Sequence, residues 1–72
     1  MHFERMVLHI KARREELHVT QETLAELSGV GLRTLKQFER GKGNPTLETI
    51  SKLAEALGLE IQLQVKQMNT SK

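Results

Sequence analysis

Apolar and polar positions alternate along this chain with two different periods. Phe3, Val7, Ile10, Arg14 and Leu17 recur at steps of four and three, which places them on one face of an amphipathic helix over about residues 3 to 17. Thr20 is a good N-cap and Glu22 puts negative charge in the following turn, so a short second helix carrying Leu24, Ala25 and Leu27 starts there and ends near Gly29. After a turn at Val30 and Gly31, a third helix over about residues 32 to 40 turns Leu35, Phe38 and Glu39 to one side and Arg33, Thr34, Lys36 and Gln37 elsewhere. Gly41 stops it. The stretch Lys42-Gly43-Asn44-Pro45 has turn chemistry, and Thr46 can cap a fourth helix whose inner face is Leu47, Ile50, Leu53, Ala54 and Leu57 before Gly58 ends it.

The period then changes to two. Leu59, Ile61, Leu63 and Val65 alternate with Glu60, Gln62, Gln64 and Lys66, the pattern of a strand with one apolar face over residues 59 to 66. Residues 67 to 72 have no pattern and read as a flexible tail. No other segment reads as a strand, so the backbone of this one lacks a ladder partner within the chain; an antiparallel pairing with its copy across a two-fold axis would supply one and make a homodimer. The expected fold is mainly α, four helices plus one C-terminal strand, with residues 1 to 66 as a single domain.

Length supports the need for a second chain. A chain of 72 residues has room for one core, and a domain this small hides only about 60% of its unfolded surface, so a disulfide, a metal or a partner usually supports it. The sequence has no cysteine, which removes disulfides and thiolate zinc sites and suits a cytoplasmic location. Residues 1 to 10 mix His, Glu and Arg with apolar residues, unlike a secretory signal, and no apolar run approaches the roughly 20 residues of a membrane span.

Charge is distributed unevenly. The whole chain carries +2, yet between residues 31 and 44 Arg33, Lys36, Arg40 and Lys42 stand against Glu39 alone, so this one segment is more basic than the molecule. A cluster of this size also occurs on ordinary solvated helices, and charge alone does not name a partner. Two charges are directed inward instead. Arg14 interrupts the apolar stripe of the first helix and Glu39 lies beside Phe38, one turn after Leu35, so the two are expected to form an ion pair joining the first and third helices. The alternative is that both side chains snorkel outward.

Two short helices joined through a glycine turn, the second bearing basic and amide residues, are the arrangement that presents a helix to DNA. Counting from Gln21 as the first position, Leu24 and Ala25 fall fourth and fifth, Gly29 ninth, Val30 tenth, Leu35 fifteenth and Phe38 eighteenth. The small residue lets the two helices cross closely, the glycine makes the turn, and the other four set the crossing angle. With this register, the segments Thr20-Gln21-Glu22-Thr23-Leu24-Ala25, Gly29-Val30, Phe38-Glu39-Arg40-Gly41-Lys42, Asn44-Pro45-Thr46-Leu47-Glu48 and Ala56-Leu57-Gly58 resemble the Cro/C1-type (XRE) helix-turn-helix regulators of phages and bacteria. The runs Gly31-Leu32-Arg33-Thr34-Leu35 and Leu57-Gly58-Leu59-Glu60-Ile61 are similar, more narrowly, to HipB-type regulators, the antitoxin half of some toxin-antitoxin operons.

The resemblance implies a lambda-repressor-like bundle and a transcriptional regulator, a repressor acting as a homodimer on a pseudo-palindromic operator; a cognate toxin protein is the further partner if the narrower likeness holds. It implies base reading by Leu32, Arg33 and Gln37, and phosphate-side positions for Gln21, Thr34, Arg40, Lys42 and Asn44. Their chemistry agrees, since Arg can bind guanine O6 and N7 bidentately, Gln can do the same to adenine, and Leu can touch a thymine methyl. Gly31 stands where many members have a capping Ser or Thr. No cofactor is implied. His2, His9 and His18 lack the i, i+4 spacing of a helical metal site, so no metal is expected. The sequence also lacks a phosphate loop and a paired His and acid, and so the parts of an enzyme.

Overall fold

A computed structural model describes residues 4 to 63. They form four helices in the expected order: α1 (Glu4–Glu16), α2 (Gln21–Ser28), α3 (Leu32–Glu39) and α4 (Leu47–Ala56). Thr20 and Thr46 cap α2 and α4, each hydroxyl accepting from the backbone N–H three residues on, Thr23 and Thr49 respectively. Such a cap satisfies a donor that the helix itself leaves unpaired. Gly31 opens α3 with no side-chain cap.

Three of the four helices end in the same way. In α1 the N–H of Val19 donates to Arg14 O and that of His18 to Glu15 O; in α3 Lys42 donates to Gln37 O and Gly41 to Phe38 O; in α4 Leu59 donates to Ala54 O and Gly58 to Glu55 O. This is the Schellman closure, which needs a left-handed residue at its penultimate position. Gly41 and Gly58 supply it at φ 72 and 75, but α1 uses His18 at φ 57. A histidine there hid the closure from a reading of the sequence, which ran the first helix on to residue 17.

The buried side chains come from every helix. Leu24, Leu35, Phe38, Ile50 and Leu53 are the most deeply enclosed, with Val7 and Ile10 of α1 and Leu57 completing the cluster. α2 packs on both α3 and α4, while α1 lies against α3. Arg13 of α1 donates from Nε to Leu57 O at 3.0 Å, placing a cation at the C-terminus of α4 where the helix dipole favours it.

Three expectations from the pattern need correction. Leu17 and Leu47, assigned to buried faces, are exposed. Leu17 lies beyond the last turn of α1 and Leu47 is the first residue of α4, where a helix has just emerged from its loop and overhangs the core. Phe3 lies outside the described residues. The third correction concerns residues 59 to 63, which carry no strand. A strand persists only with a neighbour for its backbone, and the described residues offer none. The alternation survives in another form: Leu59 and Ile61 pack against the core, Glu60 and Gln62 point out together with a side-chain hydrogen bond of 3.3 Å, and Leu63 is 98% exposed. Val65, and the expected tail at 67 to 72, lie outside the described residues.

Candidate nucleic-acid interface

α3 is presented rather than buried. Its inner face inserts Leu35, Phe38 and Glu39, and Val30 in the turn before it is also enclosed. With those positions committed to the core, the remaining periodicity leaves Arg33, Lys36, Gln37 and Arg40 exposed at steps of three, one and three along a single stripe. Leu32, half-buried, and these four residues line an open depression of about 430 Å³. The depression therefore unites the three residues expected to read bases, Leu32, Arg33 and Gln37, with Arg40. Lys36 was missed as a site residue by the reading of the sequence. Its spacing of three from Arg33 and four from Arg40 was the available signal.

A second depression, of about 240 Å³, follows the exit from α3 and holds Thr34, Lys42, Gly43, Asn44 and Thr46. The closure at Gly41 fixes this turn, because the N–H of Lys42 itself bonds back to Gln37 O. Gln37 borders both depressions, and its Oε1 stands 3.7 Å from where a side chain on Gly43 would begin. Thr34, Lys42 and Asn44, three of the expected phosphate-side residues, are thus gathered around one depression.

Gln21, at the other helix of the pair, is tied to α3 through a buried anion. Glu39 has a side chain only 3% exposed and Arg14 one of 12%; Arg14 Nε donates to Glu39 Oε2 at 2.6 Å and Nη2 to Oε1 at 2.9 Å. This two-pronged geometry is the strongest form of such a pair. Arg14 Nη1 also donates to Val19 O at 2.8 Å, and Gln21 Nε2 donates to Glu39 Oε1 at 2.9 Å. One carboxylate therefore joins α1, the start of α2 and the end of α3. The hydrogen bond to Glu39 raises the pKa of Arg14 despite the opposing effect of burial. The role of Gln21 in this network has no signal in the spacing of the chain, because it depends on how α2 crosses α3.

The electrostatic consequence is an asymmetry on α3. Its one acid is neutralised internally, while Arg33, Lys36, Arg40 and Lys42 form no ion pair among the described residues. Four cations thus share one surface without local compensation, an arrangement that attracts a polyanion. Among the described residues no group of His, Cys, Asp or Glu side chains could hold a metal, and no helix is long and apolar enough to cross a membrane.

Comparison with known proteins covers most of the bundle. The helix-turn-helix family matches residues 10–64. A transcriptional repressor, RstR of the cryptic phage CTXphi in Vibrio cholerae, is 38% identical over 48 residues, covering 67% of this chain and 43% of that protein. An uncharacterised HTH-type transcriptional regulator of Mycobacterium tuberculosis is 39% identical over 54 residues, 75% of this chain and 39% of its own length. Another, from Methanothermobacter thermautotrophicus, is 43% identical over 51 residues, 71% of this chain and 74% of its own. The chain spans about two fifths of the length of the first two relatives. With α2 and α3 crossed over the Gly29-Val30 turn and the match extending over most of its length, the chain belongs to the helix-turn-helix family of Cro/C1 type.

Proposed function

We propose that this chain is a sequence-specific DNA-binding regulator of transcription, acting as a repressor, that lays α3 in the major groove. The observation that carries this reading is the stripe of Arg33, Lys36, Gln37 and Arg40, exposed and unpaired on a helix whose opposite face is locked into the core. A helix fits the major groove, and Arg and Gln have the donor geometry to read purine edges there. The repressor role rests on likeness to a relative named as a transcriptional repressor.

Within this reading Leu32, Arg33 and Gln37 contact bases, and Lys36 joins them from the same stripe. Thr34, Arg40, Lys42 and Asn44 meet phosphates on the flank, where Gln21 meets another at the start of α2. The protein works as a homodimer, in which residues 59 to 66 of two chains pair as antiparallel strands about a two-fold axis. Two copies of α3 then face half-sites about 34 Å apart, so the operator is pseudo-palindromic.

Titration of operator and random duplexes at several salt concentrations tests the assignment. Arg33→Ala is expected to weaken operator binding by about 1 to 3 kcal/mol and to relax preference at one base position. Lys42→Ala is expected to weaken all duplexes alike and to lower the salt slope by about one unit. Equal losses on operator and random DNA for Arg33→Ala would remove that residue from the reading set.

A further inference from the structure

We infer that Glu39 is a positioning residue for DNA contact: through its hydrogen bond to Gln21 it turns the carboxamide so that an N–H of Gln21 is held ready for a backbone phosphate. The inference rests on the DNA reading above and goes beyond it, because it gives the buried pair of Arg14 and Glu39 a part in binding.

The geometry begins with what a carboxylate can do. It accepts hydrogen bonds and cannot donate, so the group that faces Glu39 Oε1 at 2.9 Å must be the nitrogen of Gln21 and not its oxygen. An isolated glutamine has no such preference, since its carboxamide can present either edge. A phosphate also only accepts. A free glutamine at this position would therefore offer its oxygen to a phosphate in half of its orientations, with repulsion as the result. Once one N–H of Gln21 is spent on Glu39, the second diverges from it in the same plane and is left for an acceptor outside the protein.

Glu39 can impose this order because it is itself held. Both prongs of Arg14 fix the carboxylate, and Arg14 is fixed in turn by Val19 O. No side-chain polar atom that is buried among the described residues lacks a partner, so the network is complete without DNA. Gln21 is half-buried at the first residue of α2, where the capped N-terminus already favours an anion. The arrangement lowers the ordering cost that a mobile side chain incurs on binding.

The test compares Gln21→Met, the apolar swap Arg14→Met with Glu39→Leu, and the triple variant, reading duplex affinity, salt slope and thermal unfolding for each. Gln21→Met is expected to weaken operator and random DNA alike, by about ten- to a hundredfold, the worth of one hydrogen bond to a charged acceptor. Because Gln21 is neutral, the salt slope stays as in the native chain, unlike the loss of a lysine. The swap removes the orienting anion but keeps the core filled, and is expected to lose several-fold in affinity with unfolding little changed. Gln21→Met should then add less than about twofold on the swapped background, since the two changes remove one contact.

An undiminished effect of Gln21→Met on that background would overturn the inference, as would a swap that leaves affinity intact. If the swap fails to fold, NMR of the intact chain decides. One side-chain N–H of Gln21 should exchange with solvent more slowly than those of Gln37 in the free protein, and the other should shift on adding a duplex of random sequence. Exchange of both protons as fast as in Gln37, or no shift with DNA, overturns it. A native chain that retains no duplex at low salt sinks the DNA reading as well, and is recognised before any substitution is made.

Discussion

Arg14 shows what a single residue contributes when it breaks a pattern. A cation on the apolar stripe of α1 is costly to enclose without a partner, and Glu39 stands where it satisfies the charge with two hydrogen bonds. Removing one member strands the other. Arg14→Ala is therefore expected to lower stability by about 3 to 5 kcal/mol, enough to unfold a large fraction of so small a domain. Urea denaturation measures this, and a loss under about 1 kcal/mol would mean that water reaches Glu39 and replaces the arginine. Position 14 and position 39 could be paired from the sequence because each interrupts its own helical stripe. Gln21 could not, since a polar residue in the first turn of a helix breaks no rule.

The helix ends form a comparison internal to the molecule. α1, α3 and α4 close with the same pair of backbone hydrogen bonds, yet the left-handed residue is His18 in the first and glycine in the other two. A side chain at positive φ crowds its own backbone, whereas glycine loses more conformational freedom on folding, so the two effects partly offset. His18→Gly should stabilise the domain by a few tenths to about 1 kcal/mol. Gly58→Ala should cost about 1 kcal/mol or more, and a Cβ there would stand 3.6 Å from an Nη of Arg13, so strain and not collision is the cause. Chemical denaturation of the two variants in parallel checks both signs; destabilisation by His18→Gly would show that the imidazole makes a contact of its own worth more than the strain.

At the scale of the whole molecule, the surface that remains unexplained by a single chain is the one at its C-terminal side. Leu59 and Ile61 complete the core beside Met6, while Leu63 projects almost fully into solvent and residues 59 to 63 pair with no strand among the described residues. A second copy would cover both. Because Leu59 and Ile61 support the fold, the informative truncation begins at residue 63. Removing residues 63 to 72 should leave a folded monomer with much weaker operator binding. Sedimentation equilibrium measures the mass, and a truncated chain that stays dimeric would place the assembly interface elsewhere.

Much of this protein is written in local rules. The helices, the caps at Thr20 and Thr46, the turn at Gly29 and the exposure of Arg33, Gln37 and Arg40 follow from period, hydroxyl placement and glycine, each acting over a few residues of chain. What the local pattern could not decide were features whose cause is distant in sequence. Residues 59 to 66 carry the alternation of a strand, but strand formation belongs to a partner and not to the segment, so residues 59 to 63 carry no strand and only Leu59 and Ile61 pack on the helices. Leu47 has the period of a buried position, but burial depends on whether a neighbour reaches the first turn of α4, and none does. The contact between Gln21 and Glu39 spans 18 residues and exists only because α2 crosses α3 at one angle. Hydrophobic period and capping determined the elements of this protein, while the packing of those elements decided which polar groups meet, because a hydrogen bond depends on distances of a few tenths of an ångström that no spacing along the chain encodes.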